Sequence, residues 1–255
     1  MVSWGFKTLD REIGEIKEHS LVLIQQEDAT SRGVELLYQI LSSKLKQGNL
    51  IGYFNISYPF PLVMKALERF GIDPKKAIED RRLAVIDTFG SFYGVRVNFP
   101  MVSYLEGMLS AESLSMKYAK IVQEHKETWK RLGLLEGRDI YGFAVAVSSY
   151  AKLFSGIDET LRYFELSSEI MRSHPAYKKY PVGVANFWLW IGKGPEVIFA
   201  SVYRRVDYVL RTRSYFTEDG IERELVVLKT PELEEEIIKF EYEFKKDGIK
   251  LSRKL

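Results

Sequence analysis

The sequence predicts an α/β protein: a mainly parallel central sheet covered by helices on both faces and extended at its C-terminal end by antiparallel hairpins. Three observations carry this. Short runs rich in branched residues alternate with helical patterns. Those runs are apolar throughout, as strands buried on both faces are, rather than at every second residue. The last fifty residues change character, to paired extended runs around turn signals. With 255 residues and 46% apolar composition the chain can bury a sizeable core. No repeat, low-complexity stretch or linker interrupts it, so one domain spanning 1–255 is expected.

The first strand is the run LVLI (21–24), followed by a turn and a helix. Val34, Leu37, Tyr38, Leu41 and Leu45 hold the i, i+3, i+4, i+7 spacing of one helical face, and Gly48 ends it. LIGYFNI (50–56) and LAVID (83–87) are the next strands. Between Ser110 and Gly133, Leu114, Tyr118, Ile121, Val122, His125 and Trp129 make a second helical stripe; His125 on that apolar face reads as a hydrogen-bonded core or edge histidine. FAVAV (143–147) and VGVANFWLW (182–190) continue the strands. Residues 208–229 are two extended runs around Thr217-Glu218-Asp219-Gly220, and 240–251 repeats the design around Lys245-Lys246-Asp247-Gly248. There Phe240, Tyr242 and Phe244 alternate with Glu241 and Glu243, which favours strand.

Composition removes several functions. Zero cysteines exclude disulfides, thiolate catalysis and nearly every zinc site, and His19, His125 and His174 lie too far apart for a local metal motif, so no metal is expected. No run approaches the roughly 18 apolar residues that cross a bilayer. The first residues lack a basic region followed by an apolar stretch, so no signal peptide is expected and the cytoplasm is the expected location. A net charge of +2 and a pI of 8.5 permit nucleic-acid binding without demanding it. Abundant Lys and Glu without Cys suit a thermophile.

Other constellations have plain readings. Ser149 and Lys152 match a Ser-x-x-Lys spacing used in acyl transfer, but no companion motif accompanies them. Glu234-Glu235-Glu236 after Thr230-Pro231 reads as first-turn acids favoured by a helix dipole. Basic clusters at Lys75-Lys76, Arg81-Arg82, Lys178-Lys179, Arg204-Arg205, Arg211, Arg213 and Lys250, Arg253, Lys254 read as scattered solvated charge unless folding gathers them.

Three segments in order resemble the RecA/RadA/KaiC-like P-loop ATPase family, across nearly the whole chain and most loosely over 90–140. GFKTLDREIG carries a Gly-x-x-x-Leu-Asp element, Gly5, Leu9 and Asp10. ISYPFPLVMKALERFGID is similar to the family's segment after its second strand. VDYVLRTRSYFTEDGIERELVVLKTP resembles a late pair of family strands. The resemblance implies a RecA-like three-layer fold, and the chain reads as a degenerate, archaeal-type member.

The family's chemical positions are where the chain departs. Laid on Gly-x-x-x-x-Gly-Lys-Ser/Thr, the loop reads Gln26-Glu27-Asp28-Ala29-Thr30-Ser31-Arg32-Gly33. A P-loop uses glycines for close approach to phosphate, lysine for the terminal phosphates and a hydroxyl for magnesium. Here Gln26 and Ser31 replace the glycines, Gly33 has no hydroxyl, Arg32 carries its charge on a broad fork, and Asp28 is an anion where anions bind. Two unit charges about 4 Å apart repel by on the order of 1 to 4 kcal/mol at partly exposed sites. Where the family places the carboxylate that activates water, this chain has Ser57-Tyr58. For the magnesium aspartate the preferred alignment gives Ser148; a rival gives Asp87, which also matches an earlier family strand ending in Asp. Lys229 matches the Lys-x-Arg element that reaches a neighbour's nucleotide, but Pro231 replaces the arginine.

The expectation is therefore a catalytically inactive RecA/KaiC-like domain with no cofactor. It would act as a regulatory or structural module that binds another protein or a second copy of itself, through the extended runs 208–216, 221–229 and 240–251. Two alternatives stay open: a weak or divergent nucleotide-binding ATPase using Arg32 and Asp87, and a nucleic-acid-binding factor resembling recombinase paralogues.

Overall fold

The apolar runs form one ten-stranded sheet in the computed structural model, which describes residues 1–179, 181, 183–232, 237–246 and 248–254. Its strands are β1 (Ser20–Gln26), β2 (Leu50–Asn55), β3 (Leu83–Asp87), β4 (Val102–Ser103), β5 (Ile140–Val145), β6 (Ala185–Ile191), β7 (Tyr208–Thr217), β8 (Gly220–Lys229), β9 (Ile238–Lys245) and β10 (Gly248–Lys254). They lie in the order β10-β9-β8-β7-β1-β6-β5-β2-β3-β4. From β7 to β4 every pairing is parallel, and from β7 to β10 every pairing is antiparallel. This is the α/β architecture the alternation predicts.

Because side chains alternate along a strand, each parallel strand feeds two cores. On one face, Val22 and Ile24 of β1, Tyr53 of β2 and Phe143 of β5 pack with Leu37 and Leu41 of α2 (Gly33–Lys46). That layer also holds α1 (Lys7–Ile13), α3 (Phe60–Glu68) and α4 (Pro74–Glu79), through Leu9, Val63 and Ile78. After β3 comes the short α5 (Thr88–Tyr93). The other face packs Leu23, Ala144 and Trp190 against α6 (Ala111–Arg131), through Leu114 and Tyr118, with α7 (Tyr150–Leu153) and α8 (Ile157–Ser173) alongside. The short α9 (Pro175–Lys178) follows, and α10 (Glu196–Arg205) buries Ile198 and Val202 on the same face. No helix among the described residues is long and apolar enough to cross a membrane.

The two predicted helical stripes are α2 and α6. Gly48 ends the first at φ 88°, and a Ser110–Ser113 capping box starts the second. Two readings shift. The strand expected at 143–147 runs instead over Ile140–Val145, because Ala146 turns the chain sharply at φ 64°. The runs 208–216 and 221–229, expected to expose edges, are mostly interior: β7 lies between β1 and β8, and β8 between β7 and β9. Val182, the acidic run Glu234–Glu236 and Asp247 of the second turn lie outside the described residues.

Candidate functional site

The Gly-x-x-x-Leu-Asp element is a staple between the N-terminal segment and α2. Gly5 takes φ 80° against Ser43, Leu9 is fully buried, and the Asp10 carboxylate accepts from the Trp4 amide and the Ser3 hydroxyl, both at 2.7 Å. It sets up β1, whose last residue, Gln26, opens the loop leading into α2.

That loop is occupied by its own side chains. Asp28 Oδ1 accepts from the Ser31 amide and the Thr30 hydroxyl at 2.8 Å and from the Ser214 hydroxyl at 2.6 Å, while Oδ2 accepts from the Ser214 amide at 2.9 Å. Burial pushes this carboxyl up, and the hydrogen bonds from Ser214, Thr30 and Ser31 outweigh it, leaving the group below the ordinary carboxylate range. Gln26 Oε1 accepts from the Val34 amide at 2.9 Å, capping the first turn of α2. Ser31 is fully buried, its hydroxyl donating to the Asp28 carbonyl at 2.8 Å. Ala29 stays exposed. Gly33 has a local reason: a Cβ there would stand 2.5 Å from Thr212 Oγ1.

The C-terminal strands latch this loop. Tyr242 donates its hydroxyl to the Ser31 carbonyl, and Arg223 Nε donates to the Thr30 carbonyl at 2.8 Å. Arg32, the N-cap of α2 in the left-handed conformation at φ 53°, pairs with Glu35 and lays its guanidinium 3.8 Å from the centre of the Phe244 ring.

The remaining predicted positions scatter. Asp87 at the end of β3 is four strand spacings from β1, about 19 Å, whereas Ser148 beyond β5 is two spacings away, about 10 Å. Asp87 is 1% exposed, caps α5 through the Gly90 amide at 3.0 Å and accepts from Asn55 at 2.8 Å. Burial raises its carboxyl against those two bonds. Ser148 Oγ accepts from the Ile191 amide at 3.1 Å. After β2, Ser57 Oγ is buried without a hydrogen-bond partner among the described residues, and the Tyr58 carbonyl accepts from Asn55 at 2.7 Å. Lys229 donates to the Val206 and Tyr203 carbonyls at 2.6 and 3.1 Å, closing the end of α10. No bond joins Ser149 to the exposed Lys152 among the described residues. His125 is buried with Nε2 2.9 Å from Ser103 Oγ, and burial lowers it to about 4. The basic clusters do not gather: Lys75 and Lys76 ride on α4 on one face, Arg204 and Arg205 on α10 on the other.

Sequence reading found the loop but missed its latch. Thr212, Ser214, Arg223, Tyr242 and Phe244 lie about 200 residues away, and only the strand order brings them together.

The uncharacterized protein PH0321 from Pyrococcus horikoshii, solved in complex with an unknown peptide, matches over 100% of both chains with 55% identity and a TM-score of 0.93. The chain belongs to the family of PH0321. KaiC-like protein PH0186 from the hyperthermophilic archaeon Pyrococcus horikoshii OT3 matches over 98% of each chain at a TM-score of 0.72 and 12% identity, which shows a KaiC-like fold for the family and nothing of activity. No protein-family model and no curated protein matches the chain.

Proposed function

We propose that this chain is a KaiC-like domain that has exchanged nucleotide hydrolysis for binding an extended peptide. The observation that carries the first half is Asp28: its carboxylate sits in the mouth of the loop and takes the Ser31 amide, while Gln26 takes the Val34 amide. Phosphate would compete with both and be repelled by the first. Arg32, the remaining cation of the loop, is engaged by Glu35 and Phe244.

Support for the second half is the peptide held by the relative PH0321, together with the hairpin of β7 and β8. β1 pairs with β7 only as far as Thr212, and β9 pairs with β8 only from Glu224 to Val227. The hairpin tip therefore projects past the sheet, with Phe216 78%, Tyr215 41% and Ile221 39% exposed. An extended peptide would add to a strand edge there and set side chains against these rings. The other long edge, β10, is closed: the Ile249 amide donates to Gln39 at 2.6 Å, and the Leu251 carbonyl accepts from Thr8 at 3.3 Å.

A phage-displayed peptide library panned on the full chain tests this. Enriched peptides are expected to bind independently of magnesium-ATP and to lose about tenfold or more in affinity for Phe216→Asp, as an exposed aromatic anchor would. No enrichment, or equal binding by Phe216→Asp, contradicts the reading.

A further inference from the structure

A second region with the marks of a binding site lies at the opposite end of the strands, on the opposite face from α2. Between the sheet and α6 is a cavity of about 370 Å³, within the roughly 300–1,000 Å³ range of ligand sites. Its floor is open at Gly52, while over Gly142 the Asn186 side chain places its Oδ1 where a Cβ would stand. Gly52 of β2 and Gly142 of β5 are in register with each other, and Gly142 with Asn186 of β6. The sheet face is therefore open at Gly52, with the Asn186 amide folded over the neighbouring Gly142. Beside the gap, Phe54 and Trp188 are only half-buried although both stand on interior strands facing the helices. Trp129 and Val122 of α6 form a wall, and His19 and Gly183 reach the rim near the strand beginnings.

Three polar groups around this space are short of partners. Lys126 is 6% exposed, and its ammonium donates to the Ala176 carbonyl at 2.6 Å; no carboxylate pairs with it among the described residues. An ammonium has three donors, and a buried charge without a counter-charge costs several kcal/mol unless something neutralises it. The Asn186 amide and the Tyr177 hydroxyl border the cavity with no hydrogen-bond partner among the described residues. Among the described residues no Asp or Glu lines the space, whereas Lys126, Lys178, His19 and His125 do. An open floor at Gly52, aromatic walls, a buried cation without a counter-charge and amide and phenol groups without partners among the described residues together define the complementary molecule.

We propose that this cavity binds a small organic anion with a flat apolar body, its negative group set against Lys126 and its ring laid over Gly52 beside the Asn186 amide. The site is independent of the loop and of the hairpin tip, so its fate does not decide the function proposed above.

The probe is 8-anilinonaphthalene-1-sulfonate, an aromatic anion whose fluorescence rises on burial, compared with uncharged N-phenyl-1-naphthylamine. One saturable site is expected for the sulfonate. Gly52→Val suits the strand, since a Cβ at Gly52 meets only the Tyr141 carbonyl at 3.9 Å, and should weaken both probes about tenfold or more by filling the floor. Lys126→Met should weaken the sulfonate by about tenfold or more and leave the uncharged probe nearly unchanged. In the unsubstituted protein, the side-chain amide resonances of Asn186 should shift along the same titration, which keeps the test open if a variant unfolds. Probe binding that does not saturate, equal affinity in folded Gly52→Val, or unmoved Asn186 resonances would overturn the proposal.

Discussion

Asp28 and Lys126 mark opposite ends of the same parallel sheet, and their surroundings differ. The Asp28 carboxylate meets four donors from three residues, two of them across the sheet on β7. Among the described residues the Lys126 ammonium meets one carbonyl. Hydrogen bonding holds the carboxyl below its ordinary range in spite of burial, whereas burial alone drives the lysine down to about 8. A charge whose partners are all supplied by the chain does a structural job; a buried charge left short of partners is a demand on something else. The loop end of the sheet is closed by this test, and the cavity end is open.

The largest effect that would break this contrast is expected from Asp28→Ala. Removing the acceptor strands the Ser31 and Ser214 amides and loosens the loop's hold on β7, where the Thr30–Ser214 and Ser31–Thr212 hydroxyl contacts remain, at a cost of about 3 kcal/mol in chemical denaturation. Asp28→Asn sharpens it by pH: because the folded carboxyl lies below its unfolded value, its stabilisation is present above the unfolded pKa and lost as pH falls through the folded one. The native protein should therefore lose an acid-dependent increment of stability that Asp28→Asn lacks.

Much of the fold was legible because it rests on local patterns. Val34 to Leu45 and Leu114 to Trp129 carry helical spacing that the packing of α2 and α6 uses directly. Gly5, Leu9 and Asp10 were readable for a related reason: they hold the entry to β1 and α2, a duty set by the fold rather than by phosphate chemistry. The loop showed its missing glycines but not what replaced them. Asp28 reads in isolation as an anion that repels, and only the neighbourhood of β7 and β1 reveals it as the acceptor organising the loop. The cavity left still less trace, since Gly52, Gly142 and Asn186 lie in three separate segments that register alone aligns.

Gly33→Ala comes next in size. Its Cβ would meet Thr212 Oγ1 at 2.5 Å and Gln26 Cβ at 3.0 Å, so about 1 to 3 kcal/mol of destabilisation is expected, measured by the denaturation midpoint. Lys126→Met probes the other end. Between about pH 8 and 10.5 the unfolded lysine keeps a proton that the folded one has released, so the native protein should gain stability as pH rises through that window. The variant should show a smaller rise, since the buried Lys44 is lowered too and contributes in the same direction, and an equal rise in both proteins would show that Lys126 is solvated. The smallest change is Ala146→Gly, which relieves the left-handed backbone at φ 64° beyond β5 and should raise stability by up to about 1 kcal/mol in thermal melts.

Titration calorimetry with magnesium-ATP addresses the closed loop most directly. The native chain is expected to give no saturable heat up to nucleotide concentrations on the order of 1 mM, and Asp28→Asn, with the repelling charge removed, should give at most weak heat because Gln26 and the missing hydroxyl at Gly33 remain. One-to-one saturable binding by the native chain that Arg32→Ala abolishes would mean that Asp28 yields the loop to phosphate, and the account would be wrong at its centre.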